Sequence, residues 1–361
     1  MKANYNLHDI VNVQVNEHRV NLVEYYDHYL RFHKEKELAQ EAVYTVREYD
    51  EFVPPRLFRQ ANNCYRGFAN GLWVPGEQYA VTLDDGKITE YTNVPNRATN
   101  LWLQVLLLAK GMSFLHCAGM EIFGKSFIFP AFGGTGKTTL VSYARKDPSF
   151  VFYGDDFVII DEDTGMYSYP SDFSIYEYHL ANFPELSESR YEKYLVERRL
   201  KRARELNLAK IPGFLLLRQR LSKLNIKSAT EDDRRISWDQ DYVKVPVRHL
   251  IESEGIGEYT KLTHVIFLEK YSGNELSLDS IDQDEGVKEA TGILDVEFRY
   301  SIIYLQLLGA FGITDYTHYV QRTMDVIRSC FSKMKIYRIS IPEQEAPEKY
   351  VPAVLRILGE L

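Results

Sequence analysis

A glycine-rich segment between an apolar strand and a helix constrains this 361-residue chain more than any other part of its sequence. The apolar run at residues 125–130 predicts a short strand, and residues 137 to about 145 predict a helix. Residues 131–139, which link this strand to the helix and include the first residues of the helix, match the phosphate-loop pattern. Ala131 stands where that pattern usually begins with glycine. The alternative is an accidental glycine-rich turn, and the flanking strand and helix argue against it.

Each part of this pattern has a physical role in holding phosphate. Glycines let successive backbone N–H groups turn inward to form an anion-binding nest. The helix N-terminus adds roughly half a positive charge directed at the same phosphates. We expect Lys137 to reach the β- and γ-phosphates of ATP and the Thr138 hydroxyl to bind Mg²⁺. The residues predicted to bind the nucleotide are Gly133, Gly134, Thr135, Gly136, Lys137, Thr138 and Thr139.

Two adjacent carboxylates follow the next apolar strand, which is predicted at residues 150–153. Asp155 stands 18 residues after Lys137, and Asp156 comes directly after it. Phosphoryl transfer needs a carboxylate that holds the metal and a group that takes the proton of the acceptor. Because side chains alternate along an extended chain, one carboxylate can face the metal while the other faces the acceptor. The alternative is an ordinary polar strand end, as at Asp84 and Asp85.

A histidine precedes the glycine-rich segment, in the run Leu-His-Cys-Ala-Gly at residues 115–119. A lone histidine is more often structural than catalytic. The combination of His116 with the phosphate-loop pattern and the two carboxylates makes it a candidate catalytic residue.

Residues 111–158 resemble the HPr kinase/phosphoenolpyruvate carboxykinase-like kinases, especially the shorter HPr-kinase-related proteins. The matching elements are the Leu-His-small-Gly segment, the apolar strand, the glycine-rich loop, and the strand that ends in Asp-Asp. Kinases of this family transfer a phosphoryl group to a serine of a protein or peptide, or to free serine. The resemblance implies that Asp155 handles the proton, Asp156 is the acid on the metal side, and His116 positions or polarises Asp155 and the acceptor hydroxyl.

The chain also departs from this family. The HPr kinase signature around Glu-Ile-Arg-Gly-Leu-Gly is absent, which argues against HPr itself as the substrate. A further metal ligand from that region is not placed by the sequence, and Asp172 and Glu177 are the candidates.

The predicted fold is mixed α/β, with a phosphate-loop core of this family's type. We predict a β-rich N-terminal region at residues 1–95 and a kinase-like domain at 96–361, with a charged helical insertion at about 187–239. An Asp-Gly turn predicts a hairpin between residues 78–83 and 88–92. Further strands are predicted at 157–160, 262–268 and 335–341, and helices at 21–37, 96–110, 295–308, 317–331 and 347–361.

The insertion contrasts with the rest of the chain in charge. Residues 190–205 contain seven Lys or Arg and three Glu. The arginines and the lysine at 198–204 could cover phosphates or dock an acidic substrate. The alternatives are a solvated helix face and a contact between subunits of a homo-oligomer.

Composition excludes several classes of protein. The chain has 43 Lys and Arg against 51 Asp and Glu, a net charge of −8, which argues against a nucleic-acid binder. Three distant cysteines without metal-ligand spacing indicate a reducing compartment. The longest uncharged stretch, residues 300–314, falls short of the roughly 20 residues of a membrane span. We therefore expect a cytoplasmic protein.

The chain is rich in aromatic residues. Its 26 Tyr and 19 Phe favour large cores with half-buried phenols.

These observations favour a metal-dependent kinase that phosphorylates a hydroxyl of a small molecule or peptide. A nucleotide-hydrolysing regulatory or binding protein without a phosphorylated substrate is the alternative. A switch GTPase would need Asn-Lys-x-Asp, which is absent. A carboxykinase would need a Lys/His metal constellation that the sequence does not show.

Overall fold

The computed structural model describes residues 1–94, 98–186, 189, 191, 193–195 and 242–361. The contacts divide the chain into two compact units, Met1–Ser171 with Ile251–Leu361, and Asp172–Leu250. Its described strands form four sheets, and α-helices accompany them, so the fold is mixed α/β as predicted.

The N-terminal part of the first unit is a nine-stranded mixed sheet. Its strands are β1 (Lys2–Leu7), β2 (Val11–Asn16), β3 (Lys34–Glu35), β4 (Tyr44–Arg47), β5 (Arg59–Ala61), β6 (Tyr65–Phe68), β7 (Gly71–Val74), β8 (Tyr79–Asp84) and β9 (Lys87–Thr92). Their order is β3-β1-β2-β4-β9-β8-β7-β6-β5. The predicted hairpin is confirmed, because β8 and β9 pair antiparallel. Asp85 and Gly86 between them both have positive φ, as a two-residue hairpin turn requires.

The described α-helices are α1 (Leu22–Leu30), α2 (Thr99–Leu108), α3 (Lys137–Ala144), α4 (Gln283–Glu297), α5 (Ile302–Ala310), α6 (Tyr316–Phe331) and α7 (Pro347–Glu360). One hydrophobic core joins the nine-stranded sheet to α1, α2 and parts of α4, α5 and α6. Trp102 of α2 is fully buried in it and donates a hydrogen bond to the Tyr79 hydroxyl at 2.8 Å.

Two predicted helices have different bounds in the structure. The helix predicted at 21–37 ends at Leu30, because the chain turns through Arg31–His33 and then pairs Lys34–Glu35 with β1. The range 295–308, predicted as one helix, contains the end of α4, a turn at residues 298–301 and most of α5. Apolar spacing does not indicate the start of α4, because the first turn of this helix is acidic. Its N-cap is Asp282, whose side chain accepts a hydrogen bond from the Glu285 N–H.

The remaining strands are β10 (Met112–Leu115), β11 (Cys117–Ile122), β12 (Lys125–Pro130), β13 (Val151–Gly154), β14 (Val158–Asp161), β15 (Gly165–Tyr167), β16 (Phe173–Tyr176), β17 (Tyr242–Val245), β18 (Tyr259–Lys261), β19 (His264–Tyr271), β20 (Ser277–Ser280) and β21 (Lys335–Pro342). Strands β10, β14, β15 and β18 form one sheet. Another sheet has the order β13-β11-β12-β19-β21-β20, with β12, β19 and β21 parallel.

Strand direction in this six-stranded sheet brings distant segments together. Strand β11 is antiparallel to both β12 and β13, so β12 and β13 run in the same direction. The carboxyl ends of β12 and β13 and the amino end of β11 therefore lie at one edge of the sheet. The glycine-rich loop, the Asp-Asp pair and His116 are attached to these three strand ends.

The second unit contains the antiparallel pair β16 and β17 and the short 3-10 helices Glu177–Asn182 and Pro184–Leu186. The predicted charged insertion falls almost entirely outside the described residues. No helix in the described ranges is long and apolar enough to cross a membrane.

Candidate functional site

The glycine-rich loop connects β12 to α3 through residues 131–136. Gly134 and Gly136 have φ of +83° and +108°, a conformation that side chains with a β-carbon rarely adopt. A β-carbon on Gly133 or Gly134 would meet no atom within 4 Å, so open space lies beside this part of the loop. The Thr135 hydroxyl closes the turn by donating to the Phe132 carbonyl at 2.9 Å.

Lys137, the first residue of α3, points back beneath the loop. Its ammonium is buried and donates to the carbonyls of Ala131 at 2.6 Å and Phe132 at 3.2 Å. The third neighbour is His116, with Nε2 at 3.2 Å from Nζ. These three acceptors match the three N–H donors of an ammonium. Burial lowers the pKa of Lys137, and the nearby charges of Asp155 and Asp156 oppose this effect.

His116 lies between β10 and β11 and packs edge-on against Phe157, with ring centroids 5.3 Å apart. Burial, and then the charge of Lys137, lower the pKa of His116 to about 3. The imidazole is therefore neutral near pH 7, and its Nε2 accepts a hydrogen bond from Lys137. A neutral ring that accepts at Nε2 carries its proton on Nδ1. The structure thus places this imidazole against Lys137.

The Asp-Asp pair follows directly after β13. Asp155 is buried, and its Oδ2 accepts a hydrogen bond from the Thr138 hydroxyl at 2.6 Å. Asp156 is half-buried. The structure therefore brings together Lys137, Thr138, His116 and Asp155, which the sequence had singled out. We call these four residues the Lys137 cluster.

Two residues that the sequence did not indicate also contact this region. Tyr350 of α7 lies over the loop, and its hydroxyl would be 2.6 Å from a β-carbon on Gly136. The Lys270 ammonium lies 4.2 Å from the centroid of its ring. Glu297, the last residue of α4, has a carboxylate oxygen 3.9 Å from His116 Nε2. Both come from distant parts of the chain, so no local pattern could have identified them.

The oxygen atoms beside the loop are suited to Mg²⁺. The Thr138 hydroxyl and the Asp155 and Asp156 carboxylates are hard ligands, and Mg²⁺ typically takes only one or two carboxylates together with water and phosphate. Within the described residues, no cluster of three or more His, Cys, Asp or Glu side chains could hold a metal by itself. The other candidate ligands, Asp172 and Glu177, belong to the second compact unit.

No protein-family model matches the chain, and no curated protein matches it.

Proposed function

We propose that this protein is a metal-dependent kinase that transfers the γ-phosphate of ATP to a hydroxyl group. Its acceptor class would be a serine of a peptide or protein, free serine, or another small alcohol. We further propose that it is a phosphate-loop member of the HPr kinase/phosphoenolpyruvate carboxykinase-like kinases, on the resemblance of residues 111–158.

One observation supports this proposal above the others. The Thr138 hydroxyl donates to Asp155 at 2.6 Å, beside a glycine loop that opens on to space and a buried lysine at the start of α3. A hydroxyl and a carboxylate in this relation, next to the N-terminus of a helix, are parts that phosphoryl transfer needs.

In the proposed reaction, the loop N–H groups and the helix N-terminus bind the phosphates. Lys137 joins them by exchanging one of its two loop carbonyl acceptors for a phosphate oxygen. Mg²⁺, held by Thr138 and Asp156, would neutralise phosphate charge. A hydroxyl has one proton and two lone pairs, so the bond from Thr138 to Asp155 leaves both lone pairs for a metal. Asp155 thereby orients Thr138 through Oδ2.

The acceptor hydroxyl oxygen forms a bond to the γ-phosphorus, and the bond from that phosphorus to the β,γ-bridging oxygen breaks. Asp155 takes the proton of the acceptor, and the electron pair of the broken bond leaves with ADP. His116 acts through Lys137, because its neutral Nε2 accepts from the ammonium and so fixes the position of this cation. Catalysis then rests on positioning and charge neutralisation, without a covalent enzyme intermediate.

The test is transfer from γ-labelled ATP in the presence of Mg²⁺ to separate acceptor pools: free serine, serine peptides and small alcohols. We expect label to appear in one acceptor pool and to be lost in Lys137→Ala. Label released only as inorganic phosphate with every pool would favour the alternative, a nucleotide-hydrolysing regulatory protein. Failure to bind ATP at all would overturn the proposal.

A further inference from the structure

The outer face of the nine-stranded sheet carries a cluster of aromatic residues around one arginine. Residues Arg66, Trp73, Ala80 and Tyr91 are successive cross-strand partners on β6, β7, β8 and β9, so their side chains share this face. The ring of Phe52 lies 5.9 Å from that of Trp73 and 5.3 Å from that of Tyr91, above the gap left by the small Ala80 side chain. We call the following set the Arg66 face: Tyr49, Phe52, Phe58, Arg66, Phe68, Trp73 and Tyr91.

Aromatic rings cover the guanidinium of Arg66. Its central carbon lies 4.3 Å from the Trp73 ring centroid and 5.0 Å from that of Phe58. Trp73 is itself fixed, because its indole N–H donates to the Tyr49 hydroxyl at 2.7 Å and Phe58 packs edge-on against it. A guanidinium that is packed against rings in this way can still present an N–H edge to the two oxygens of a carboxylate.

The described residues supply no carboxylate for this arginine. Arg66 has no ion pair there, and its half-buried side chain has a buried Nε without a hydrogen-bond partner. The nearest acidic side chain along the chain, Glu77, accepts a hydrogen bond from the Tyr304 hydroxyl. The next nearest, Glu51 and Asp50, pair with Arg47 and Arg19. In a chain with eight more acidic than basic residues, a stacked arginine without a described acidic partner indicates that an anionic group comes from elsewhere.

The segment next to Arg66 exposes apolar side chains. Residues 53–58 lie outside any helix or strand and lead into β5, which pairs with β6 alone among the described strands. Val53 is 82% exposed, Leu57 87% and Phe58 42%. Exposed aliphatic and aromatic surface is therefore available in the segment that ends at Phe58, whose ring lies against the arginine.

We propose that the Arg66 face binds an extended acidic peptide segment, in which a Glu or Asp carboxylate meets Arg66 and flanking aliphatic side chains meet Leu57 and Val53. The positive charge of Arg66 is complementary to a carboxylate of the peptide. The exposed side chains of Leu57 and Val53 offer apolar contacts to the peptide residues on either side of that carboxylate. Single-stranded nucleic acid fits less well. It needs open ring faces and a basic groove, whereas here the rings pack against one another and the net charge is negative.

The test measures binding of two fluorescein-labelled octapeptides to the full-length protein by anisotropy. One alternates glutamate with leucine and valine, and in the other lysine replaces glutamate. We expect the acidic peptide to bind and the basic one to bind at least tenfold more weakly. Arg66→Gln should weaken the acidic peptide at least tenfold. Arg66→Lys, which retains the charge and loses the planar fork, should also weaken it.

Two further variants serve as controls for misfolding and for non-specific effects of charge. Leu57→Ser changes an exposed side chain, so it should leave thermal unfolding unchanged and still reduce binding. Arg356→Gln removes an exposed arginine of α7 and should bind like the wild type. Equal binding of both peptides, unchanged binding in Arg66→Gln and Leu57→Ser, or stronger binding of a labelled oligo-dT than of the acidic peptide would each overturn the proposal.

Discussion

The Thr138 hydroxyl donates a 2.6 Å hydrogen bond to the Asp155 carboxylate. These residues stand at the start of α3 and just after β13, and β11 lies between β13 and the strand that leads into α3. The bond therefore depends on the pairing of three strands as well as on the local sequence. It is the contact on which the proposed roles of both residues depend.

Replacing Lys137 should abolish nucleotide binding. Lys137→Ala removes a buried ammonium at the start of α3, and we expect the affinity for ATP to fall at least a hundredfold in calorimetric titration. Lys146→Ala is the matched control, since Lys146 is exposed just beyond the other end of the same helix. Equal losses in both variants would contradict a specific role for Lys137.

The two adjacent aspartates should differ in the step they affect. Asp155→Asn should bind ATP normally and lose transfer by about 10²- to 10⁴-fold, the usual effect of removing a general base. Asp156→Asn should raise the Mg²⁺ concentration needed for half-maximal transfer. Measuring ATP affinity and the Mg²⁺ dependence of turnover separates the two. If Asp155→Asn kept most of its transfer rate, Asp155 would not be the base.

Gly136→Ala should destabilise the protein because of backbone strain and a steric clash. The φ of +108° suits glycine, and the new β-carbon would lie 2.6 Å from the Tyr350 hydroxyl. We expect a loss of about 1–3 kcal/mol in chemical denaturation. Adding Tyr350→Phe should recover part of this loss by removing the clash. Gly133→Ala is the control, since its φ is not positive and its β-carbon would meet no atom within 4 Å; it should stay within about 0.5 kcal/mol of the wild type.

The buried carboxyl of Glu90 should make stability depend on pH. Burial raises its pKa to about 7 from the ordinary 4.5, although hydrogen bonds from the Tyr44 and Tyr26 hydroxyls counteract the shift. The folded protein thus retains a proton that the unfolded chain releases above pH 4.5. This contribution is fully present below pH 4.5 and is lost as the pH rises through 7.

Glu90→Gln retains hydrogen-bond acceptors and removes the titration. Between pH 4.5 and 8, the free energy of unfolding of the wild type should fall by about 3 kcal/mol relative to the variant. Urea titrations of both proteins across this pH range measure the difference between their free energies of unfolding. The contributions of other titrating groups cancel in this difference. Parallel pH profiles would show that the pKa of Glu90 is the same in the folded and unfolded states.

The excess of aromatic residues has a structural explanation that composition could not supply. Tyr26, Tyr44 and Tyr79 are fully buried on the inner side of the nine-stranded sheet, where Tyr26 and Tyr44 donate to Glu90. A second group forms the Arg66 face on the opposite side. Aromatic side chains therefore cover both faces of one sheet.

Short-range patterns of the sequence determined the elements that depend on neighbouring residues. The strand Lys125–Pro130, the helix that begins at Lys137 and the hairpin at Asp85 and Gly86 follow from local hydrophobic spacing and glycine positions, and the structure contains all three. Apolar spacing failed at α4, whose first turn is acidic.

Tertiary structure alone decided which of these elements meet. The antiparallel passage of β11 between β12 and β13 sets His116, Lys137 and Asp155 at one edge, and strand pairing over such distances is not encoded in local periodicity. Tyr350 and Glu297 reach the same edge from helices near the end of the chain. Sequence could therefore name the chemical groups, because their motifs are local. Their contacts required the folded chain, because packing of a whole core selects the neighbours of each strand.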